Sequence, residues 1–192
     1  MHIHIVISVV LISLLNDIPT SCNGAYSYSL KVTKYVCIDR PYKESTLYFC
    51  KNIPRRNAPT MISMSIHVPQ LYDNIILKVS LFYKFSTYQP FLITVNSEGC
   101  EFIRNPPQFG MEKLVYDIIQ ESAPELLLPC PVGNRTYTID WYLQDRHAPK
   151  NIPAGDYKLQ FKLVVHSNVT IFGMEVYCSV RNTGIVSTFI TE

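Results

Sequence analysis

The feature that most constrains this chain is an alternation of apolar and polar residues that recurs between residues 28 and 180. In Met61–Val68, for example, every second residue is apolar: Ile62, Met64, Ile66 and Val68. Because successive side chains of a β-strand point to opposite faces, a period of two predicts strands that bury one face. Eight segments fit this interpretation: Tyr28–Ile38, Ser45–Ile53, Met61–Val68, Ile75–Phe85, Phe91–Asn96, Arg135–Leu143, Asp156–Val165 and Val169–Val180. Eight short strands with turn residues between them predict an all-β sandwich or barrel.

One segment has the period of a helix instead. Its apolar residues follow the spacing i, i+3, i+4, i+7 and i+8: Met111, Leu114, Val115, Ile118 and Ile119. Such spacing predicts a helix with a single apolar face. The segment lies between Pro106 and Pro124, and between Cys100 and Cys130. We expect one short helix inserted at one end of the sandwich, where it either closes the mouth or lies along an edge.

The N-terminus has the pattern of a secretory signal. Residues 3–15 are apolar except for His4 and two serines. This stretch is shorter than the roughly 20 residues that span a bilayer, but it suits the apolar region of a signal peptide. Small residues follow, with Cys22 and Gly24 at positions −3 and −1 of a cleavage site before Ala25. A buried N-terminal strand is the alternative.

We therefore divide the chain into a signal peptide, residues 1–24, and a single exported domain, residues 25–192. A domain of that length can bury a sizeable core. No later stretch is long and apolar enough for a membrane anchor. Aromatic residues make up 12% of the chain and charged residues only 17%, which favours a β-rich domain with an aromatic interior.

The charge pattern argues against one class of partner. The formal net charge is +2, and the longest basic run is Arg55-Arg56. Nucleic-acid binding requires a basic patch that faces the phosphates. We therefore expect no nucleic-acid partner.

The cysteines favour an oxidising compartment. Five of the six lie beyond the predicted cleavage site: Cys37, Cys50, Cys100, Cys130 and Cys178. None has C-x-x-C spacing, which argues against a zinc site and against thioredoxin-like redox chemistry. Sequons at Asn134 and Asn168 predict two glycosylation sites, as expected for a chain that passes through the secretory pathway.

Residues that could support catalysis are few. We expect the three histidines of the exported domain at the surface, since alternation turns His67 and His166 outward and His147 falls in a loop. The sequence has no nucleophile-elbow serine, no H-E-x-x-H motif and no Gly-rich phosphate loop. We therefore expect neither enzymatic activity nor a cofactor. A catalytic triad assembled from distant residues is the alternative.

Three carboxylates, those of Asp140, Asp145 and Asp156, invite a calcium-site interpretation. They lack the alternating acidic loop from which several oxygens can bind one calcium ion. Solvated strand faces and turns explain them better, so we expect no metal site.

Short motifs between residues 88 and 157 resemble those of a known family. They occur in this order: Tyr88-Gln89-Pro90-Phe91-Leu92, Gly99-Cys100-Glu101-Phe102-Ile103, Asn105-Pro106, Leu128-Pro129-Cys130-Pro131 and Ile152-Pro153-Ala154-Gly155-Asp156-Tyr157. The same series recurs in a large secreted insect family, mostly of unknown function, that includes the CheB chemosensory proteins. That family is similar to the ML lipid-recognition superfamily, and the resemblance covers roughly residues 30–180.

The resemblance implies a fold and a disulfide pattern. The fold is an all-β, two-sheet immunoglobulin-like (ML-type) sandwich with one short inserted helix, stabilised by disulfides. The family's four cysteines match Cys37, Cys50, Cys100 and Cys130, and we predict the pairs Cys37–Cys50 and Cys100–Cys130. Cys178 departs from the family pattern, and a leftover thiol invites pairing with another chain. Cleavage at or before Cys22 would instead allow a Cys22–Cys178 bridge.

In an ML-type fold the two sheets are splayed, so inward side chains line a cavity. Ligand pockets are lined mainly by apolar and aromatic groups. Alternation supplies the candidate lining residues: Ile66, Val68, Leu77, Val79, Leu81, Phe161, Leu163, Phe172, Met174 and Val176. The same positions would also be inward in a filled core, so alternation alone does not distinguish a hollow sandwich from a filled one.

Three functions follow from these observations. The first is a secreted carrier or presenter of a hydrophobic small molecule of the fatty acid, sterol or cuticular hydrocarbon class, in keeping with the link between CheB-type proteins and contact-pheromone sensing. The second is an extracellular module that modulates a membrane receptor or ion channel without a bound lipid. The third, a secreted hydrolase, lacks a recognisable nucleophile and base.

Overall fold

The structure is a computed structural model that describes residues 28–149 and 152–182, except for the side chain of residue 167. The predicted signal peptide, its cleavage site after Gly24, and Cys22 lie outside the described residues. The division at residue 25 therefore stays a prediction.

The described residues form eight strands, as the alternation predicts. They are β1 (Tyr28–Cys37), β2 (Thr46–Arg55), β3 (Ala58–Tyr72), β4 (Ile76–Lys84), β5 (Tyr88–Glu98), β6 (Val132–Trp141), β7 (Gly155–Val165) and β8 (Val169–Asn182). Their inward positions are the apolar ones. In β4, for instance, Leu77, Val79 and Leu81 are buried while the residues between them are partly exposed.

Two prolines do not end strands where the sequence predicts. We expected Pro54 to end the second strand and Pro69 the third, but β2 continues to Arg55 and β3 to Tyr72. Proline cannot donate to a sheet ladder, so it is tolerated on edge strands and at bulges. Pro54 lies in an edge strand, and Pro69 lies where the register with β6 shifts.

The strands form two antiparallel sheets. The large sheet has the order β1-β8-β7-β4-β5, and the small sheet has the order β2-β3-β6. The inner faces of both sheets contribute to one apolar cluster. The predicted disulfide-stabilised two-sheet sandwich is thereby confirmed.

At one side of the sandwich, β1 of the large sheet meets β2 of the small sheet. The disulfide Cys37–Cys50 joins the two strands, with its Cα atoms 6.4 Å apart. The side chain of Asn52 adds two hydrogen bonds to the backbone of Tyr35: Oδ1 accepts from the Tyr35 N–H at 2.7 Å and Nδ2 donates to its carbonyl at 2.9 Å. The two sheets are therefore tied directly together at this side, which we call the β1–β2 edge.

At the opposite side, a helical connection runs from β5 of the large sheet to β6 of the small sheet. It contains α1 (Gly99–Arg104), α2 (Gly110–Ser122) and a 3₁₀ turn (Pro124–Leu126). The disulfide Cys100–Cys130 joins the two ends of the connection, with a Cα–Cα distance of 5.7 Å. We call this side the β5–β6 edge.

The predicted helix is present as α2, but we expected one helix and the connection contains two. The first, α1, is only six residues long, which is too short for a helical period to show in the sequence. Its N-terminus is capped by Glu98, whose carboxylate accepts from the backbone N–H groups of Cys100 and Glu101. A carboxylate at this position satisfies backbone donors that have no partner inside the helix.

Candidate binding cavity

Between the two sheets and the helical connection lies a cavity of about 240 Å³. One buried water requires only about 10–15 Å³ measured in the same way, so the space is many times that of a single water. Its lining is dominated by apolar side chains. The sandwich is therefore hollow, which the sequence left open.

Three parts of the chain line the cavity. The large sheet contributes mainly through β4, β7 and β8, and the small sheet through β3 and β6. The helical connection contributes the third wall: Phe102, Ile103, Leu114, Val115, Ile118 and Ile119. Of the two positions expected for the helix, lying along an edge is therefore the closer description, since α2 belongs to the connection between the edge strands β5 and β6.

The burial of β7 shows the hollowness most directly. This strand is central in the large sheet, with β8 on one side and β4 on the other. Three of its large apolar side chains nevertheless stay partly accessible: Leu159, Phe161 and Leu163. All three line the cavity. In a filled core, the inward side chains of a central strand would be covered by the opposing sheet.

Nine of the ten predicted lining residues line the cavity: Ile66, Val68, Leu77, Val79, Leu81, Phe161, Leu163, Phe172 and Met174. The tenth, Val176, does not, although it is fully buried. Its cross-strand partner in β1 is Tyr35, and paired residues share a face of the sheet. Tyr35 crosses the space between the sheets at this point, so Val176 faces filled core instead of cavity.

Tyr35 fills the interior near the β1–β2 edge. Its hydroxyl donates to the carbonyl of Thr60 at 3.2 Å and accepts from the backbone N–H of Leu143 at 3.0 Å. Its ring packs edge-on against Trp141, with centroids 5.9 Å apart. Burial raises the pKa of Tyr35 to about 12, against a smaller opposite effect of the Leu143 hydrogen bond. This aromatic pair marks where the cavity ends.

Polar side chains on the lining are mostly bonded to one another or to the backbone. Trp141 Nε1 donates to Ser122 Oγ at 2.7 Å, and Ser122 Oγ donates to the carbonyl of Ile118 at 2.6 Å. The hydroxyl of Tyr157 donates to the carbonyl of Pro153 at 2.7 Å. Because these polar groups are already hydrogen-bonded within the protein, they do not need a polar ligand as a partner. The lining therefore suits an apolar ligand.

His147 is the main correction to the expected site chemistry. We expected it at the surface, but only 2% of its side chain is exposed, and it lines the cavity. It lies in a 3₁₀ turn (Asp145–His147), where Nδ1 accepts from the backbone N–H of Gln144 at 3.3 Å. That hydrogen bond assigns the proton to Nε2, which has no hydrogen-bond partner among the described residues. A tertiary contact buries the turn, so local sequence carries no signal of it.

Two charged neighbours cover His147 from the solvent side. Glu121, near the end of α2, forms an ion pair with Arg146, and its Oε2 lies 3.8 Å from His147 Nε2. Burial lowers the pKa of His147 below 6.5; Glu121 raises it by less, and Arg146 lowers it further. The imidazole is therefore neutral near pH 7. The other two histidines fit expectation better, with His166 exposed and His67 partly exposed on the outer face of β3.

Cys178 is buried, with 5% of its surface exposed, and it also lines the cavity. It forms no disulfide with any described residue. Burial raises the pKa of the thiol to about 12. Burial of the sulfur argues against pairing with another chain in the folded domain, and the alternative partner, Cys22, lies outside the described residues.

The remaining predicted residues lie at the surface. Asn134 and Asn168, the two sequon asparagines, are exposed and have positive φ angles of 49° and 67°.

The three carboxylates considered for calcium do not converge. Asp145 accepts from the backbone N–H of Leu30, and Asp156 forms an ion pair with Arg181. Within residues 28–149 and 152–182, no three potential metal ligands cluster.

A helix that spans a membrane needs about 20 predominantly apolar residues. None of the helices within the described ranges is both long and apolar enough to cross a bilayer.

Comparison with known proteins yields a family match and a set of similar solved structures. Residues 77–159, less than half of the chain, match the model of a family described as "Protein of unknown function (DUF1091)". No curated protein matches. A crystal structure of chicken MD-1 complexed with lipid IVa is 13% identical, with a TM-score of 0.37, covering 82% of this chain and 99% of that chain. A Niemann-Pick type C2 protein from Japanese carpenter ant is 10% identical, with a TM-score of 0.29, covering 78% of this chain and 90% of that chain.

Proposed function

We propose that this protein binds a hydrophobic small molecule of the fatty acid, sterol or cuticular hydrocarbon class in the cavity between its sheets. The observation that carries the proposal is the accessible inner surface of β7, where Leu159, Phe161 and Leu163 face a space of about 240 Å³. Leaving these side chains partly uncovered costs hydrophobic stabilisation. A bound apolar ligand restores it.

The energetics favour a ligand with an extended apolar part. Burying one methylene gains about 0.8 kcal/mol, so a chain of about ten carbons gains about 8 kcal/mol. Losses of translational, rotational and side-chain freedom on binding are of similar size, about 4–15 kcal/mol. A ligand much shorter than this would gain too little to remain bound.

Substitution of Leu163 by Phe tests the proposal. The larger ring occupies cavity space while the lining stays apolar, so we expect weaker binding of a fluorescent fatty acid and a change in thermal stability of less than about 1 kcal/mol. The matched control is Val176→Phe, which enlarges a fully buried residue beside Tyr35. Overpacking there should cost about 1–3 kcal/mol of stability.

Native mass spectrometry and organic extraction of the secreted protein complete the test. We expect an apolar compound to be recovered from wild type and less of it from Leu163→Phe. If Leu163→Phe destabilises the protein as much as Val176→Phe, and no lipid is recovered, the ligand-free interaction module becomes the better explanation.

The proposed function also includes secretion of the protein. We infer that residues 1–24 are removed on export, so Edman sequencing of the secreted protein should start Ala-Tyr-Ser. The exposure of Asn134 and Asn168 supports glycosylation at both sequons. A start at or before Cys22, or an unglycosylated secreted product, would contradict these two inferences separately.

A chemosensory role rests on the resemblance to CheB-type proteins alone. Under this proposal the ligand is a contact-pheromone-like compound and a receptor or channel is the downstream partner. Transcript localisation tests it: expression in taste sensilla supports the role, whereas expression confined to gut or fat body contradicts it.

A further inference from the structure

The outer face of the large sheet concentrates positive charge. In an antiparallel sheet, residues paired across strands share a face, and the observed register places lysines from three strands, β1, β4 and β7, on the outer one. Together with one arginine, the cationic side chains of this face among the described residues are Lys31, Lys34, Lys78, Lys84, Lys158, Lys162 and Arg181.

Carboxylates on or beside this face are fewer. Those among the described residues are Asp39, Glu98, Asp156 and Glu175. Seven cations against four carboxylates leave an excess of three positive charges, which equals the formal net charge of all the described residues, with 16 Lys and Arg against 13 Asp and Glu. The rest of the molecule is therefore close to neutral, and the positive charge is segregated on one face.

The small sheet presents a different outer face. Hydroxyl groups line its centre: Ser65 Oγ lies 3.0 Å from Thr138 Oγ1, and His67 Nδ1 lies 3.1 Å from Thr136 Oγ1. Two chemically different faces on one sandwich indicate that the cationic one is not a general property of the surface.

Several side chains in the middle of the cationic face are fixed by contacts with one another. Glu175 accepts from Lys158 and from Tyr177, at 3.0 and 2.6 Å. Lys34 lies over the ring of Tyr177, 4.5 Å from its centroid. The ring of Tyr177 packs edge-on against Tyr88, with centroids 5.8 Å apart. Aromatic rings are thus interleaved with lysines across the middle of the face.

Two other lysines of this face are available to a partner. Lys31 and Lys84 are exposed and form no ion pair within 4 Å among the described residues. The contacts of Lys34 are with a ring and not with a carboxylate. These three ammonium groups can therefore bind an anion without breaking an internal ion pair.

We propose that the outer face of the large sheet docks on an anionic membrane surface. Six of its seven cations are lysines, which act as hydrated point charges suited to diffuse lipid charge, whereas arginine predominates where a planar carboxylate or phosphate is gripped bidentately. Tyrosines on the same face favour the membrane–water interface, because their rings are apolar and their hydroxyls polar. An acidic protein is the competing partner, and the test below separates the two.

Vesicle co-sedimentation of the full exported chain tests the proposal. Each basic residue near an anionic surface contributes about a fivefold factor to the partition constant. The triple variant Lys31→Gln, Lys34→Gln and Lys84→Gln should therefore bind vesicles of 70:30 phosphatidylcholine to phosphatidylserine about 100-fold more weakly than wild type. Binding of wild type should fall in 0.5 M salt, and it should be weak on pure phosphatidylcholine.

The matched control removes the same charge elsewhere. Lys43, Lys51 and Arg56 are exposed and lie off the cationic face; changing all three to Gln should leave most of the vesicle binding intact. The cavity variant Leu163→Phe should bind vesicles like wild type, so failure of ligand binding and failure of membrane docking are separate results.

Three outcomes would overturn the docking proposal. The first is equal loss in both triple variants, which would show that only net charge matters. The second is wild-type binding to anionic vesicles that 0.5 M salt does not weaken. The third is binding to an acidic peptide column without binding to any vesicle, which would assign the face to an acidic protein.

Discussion

At the β1–β2 edge the two sheets touch, whereas at the β5–β6 edge a helical connection stands between them. The first edge is tied by the Cys37–Cys50 disulfide, by Asn52 and by the hydroxyl of Tyr35. At the second edge, α1 and α2 supply a third wall, and the Cys100–Cys130 disulfide joins the ends of the connection. The interior is therefore filled beside one edge and hollow toward the other.

This difference explains how an alternating sequence forms a cavity. Inward apolar residues on two sheets would normally interdigitate over a core about 10 Å thick. Here one edge holds the sheets together while helices hold the other edge apart, so the gap widens across the sandwich. Disulfides at both edges resist collapse of that shape.

The largest effects should come from removing the two disulfides one at a time. Loop-closure entropy predicts a loss of about 3 kcal/mol for Cys37→Ser with Cys50→Ser, and about 3.5 kcal/mol for Cys100→Ser with Cys130→Ser. Ligand binding should separate the two variants, since only the second releases a wall of the cavity. Denaturant unfolding and fatty-acid titration measure both quantities. Equal loss of binding in the two variants would contradict the assignment of separate roles to the two edges.

The next-largest effect on stability should come from removing the hydroxyl of Tyr35. Tyr35→Phe leaves the buried N–H of Leu143 unpaired, so we expect a loss of about 1–3 kcal/mol in the free energy of unfolding. The matched control is Tyr137→Phe on the hollow side, where the hydroxyl accepts from the backbone N–H of the partly buried Gly133; a net loss of about 1 kcal/mol is expected there. Thermal unfolding measures both, and a larger loss in Tyr137→Phe would reverse the order predicted from the two edges.

Acid should loosen the turn that carries His147. Because the folded pKa of His147 lies below its usual 6.5, the unfolded state binds more protons as pH falls below 6.5. Its contribution to stability is therefore complete above pH 6.5 and is lost as pH falls through the folded pKa, by at most about 1.4 kcal/mol per pH unit. Unfolding measured from pH 7.5 to 5 should show this slope, and His147→Phe should remove it.

The matched control for this pH effect is His67→Phe, because His67 is partly exposed on the outer face of the small sheet. The slope should persist in that variant. A slope that survives His147→Phe would contradict the prediction.

The smallest effect concerns the Cys178 thiol, which reports on access to the cavity. With its pKa raised to about 12, the thiol is almost fully protonated at pH 8, and thiols react through the thiolate. Iodoacetamide should therefore label native protein much more slowly than unfolded protein, and a fatty acid should slow it further. Rapid labelling of native protein would show that the sulfur is open to solvent.

Much of this architecture could be predicted from the sequence because it depends on local rules. Period-two alternation located all eight strands, and the spacing from Leu114 to Ile119 located α2, since each pattern lies within one element. Pro54 and Pro69 misled the prediction of strand ends. Their effect depends on whether the strand lies at an edge or carries a bulge, and pairing partners decide that.

The sequence by itself determined which residues face inward, and nine of ten predicted lining residues do line the cavity. Only the tertiary structure decided that the inward faces of β7 and β3 stay apart, that Tyr35 covers Val176, and that His147 is buried. The tertiary structure also created the cationic face. The sequence has no basic run longer than Arg55-Arg56, yet strand pairing places seven cationic side chains on the outer face of the large sheet. The reason is the same in each case. A side chain's direction is set by its own strand, whereas its neighbours and the width of the space before it are set by elements distant in the chain.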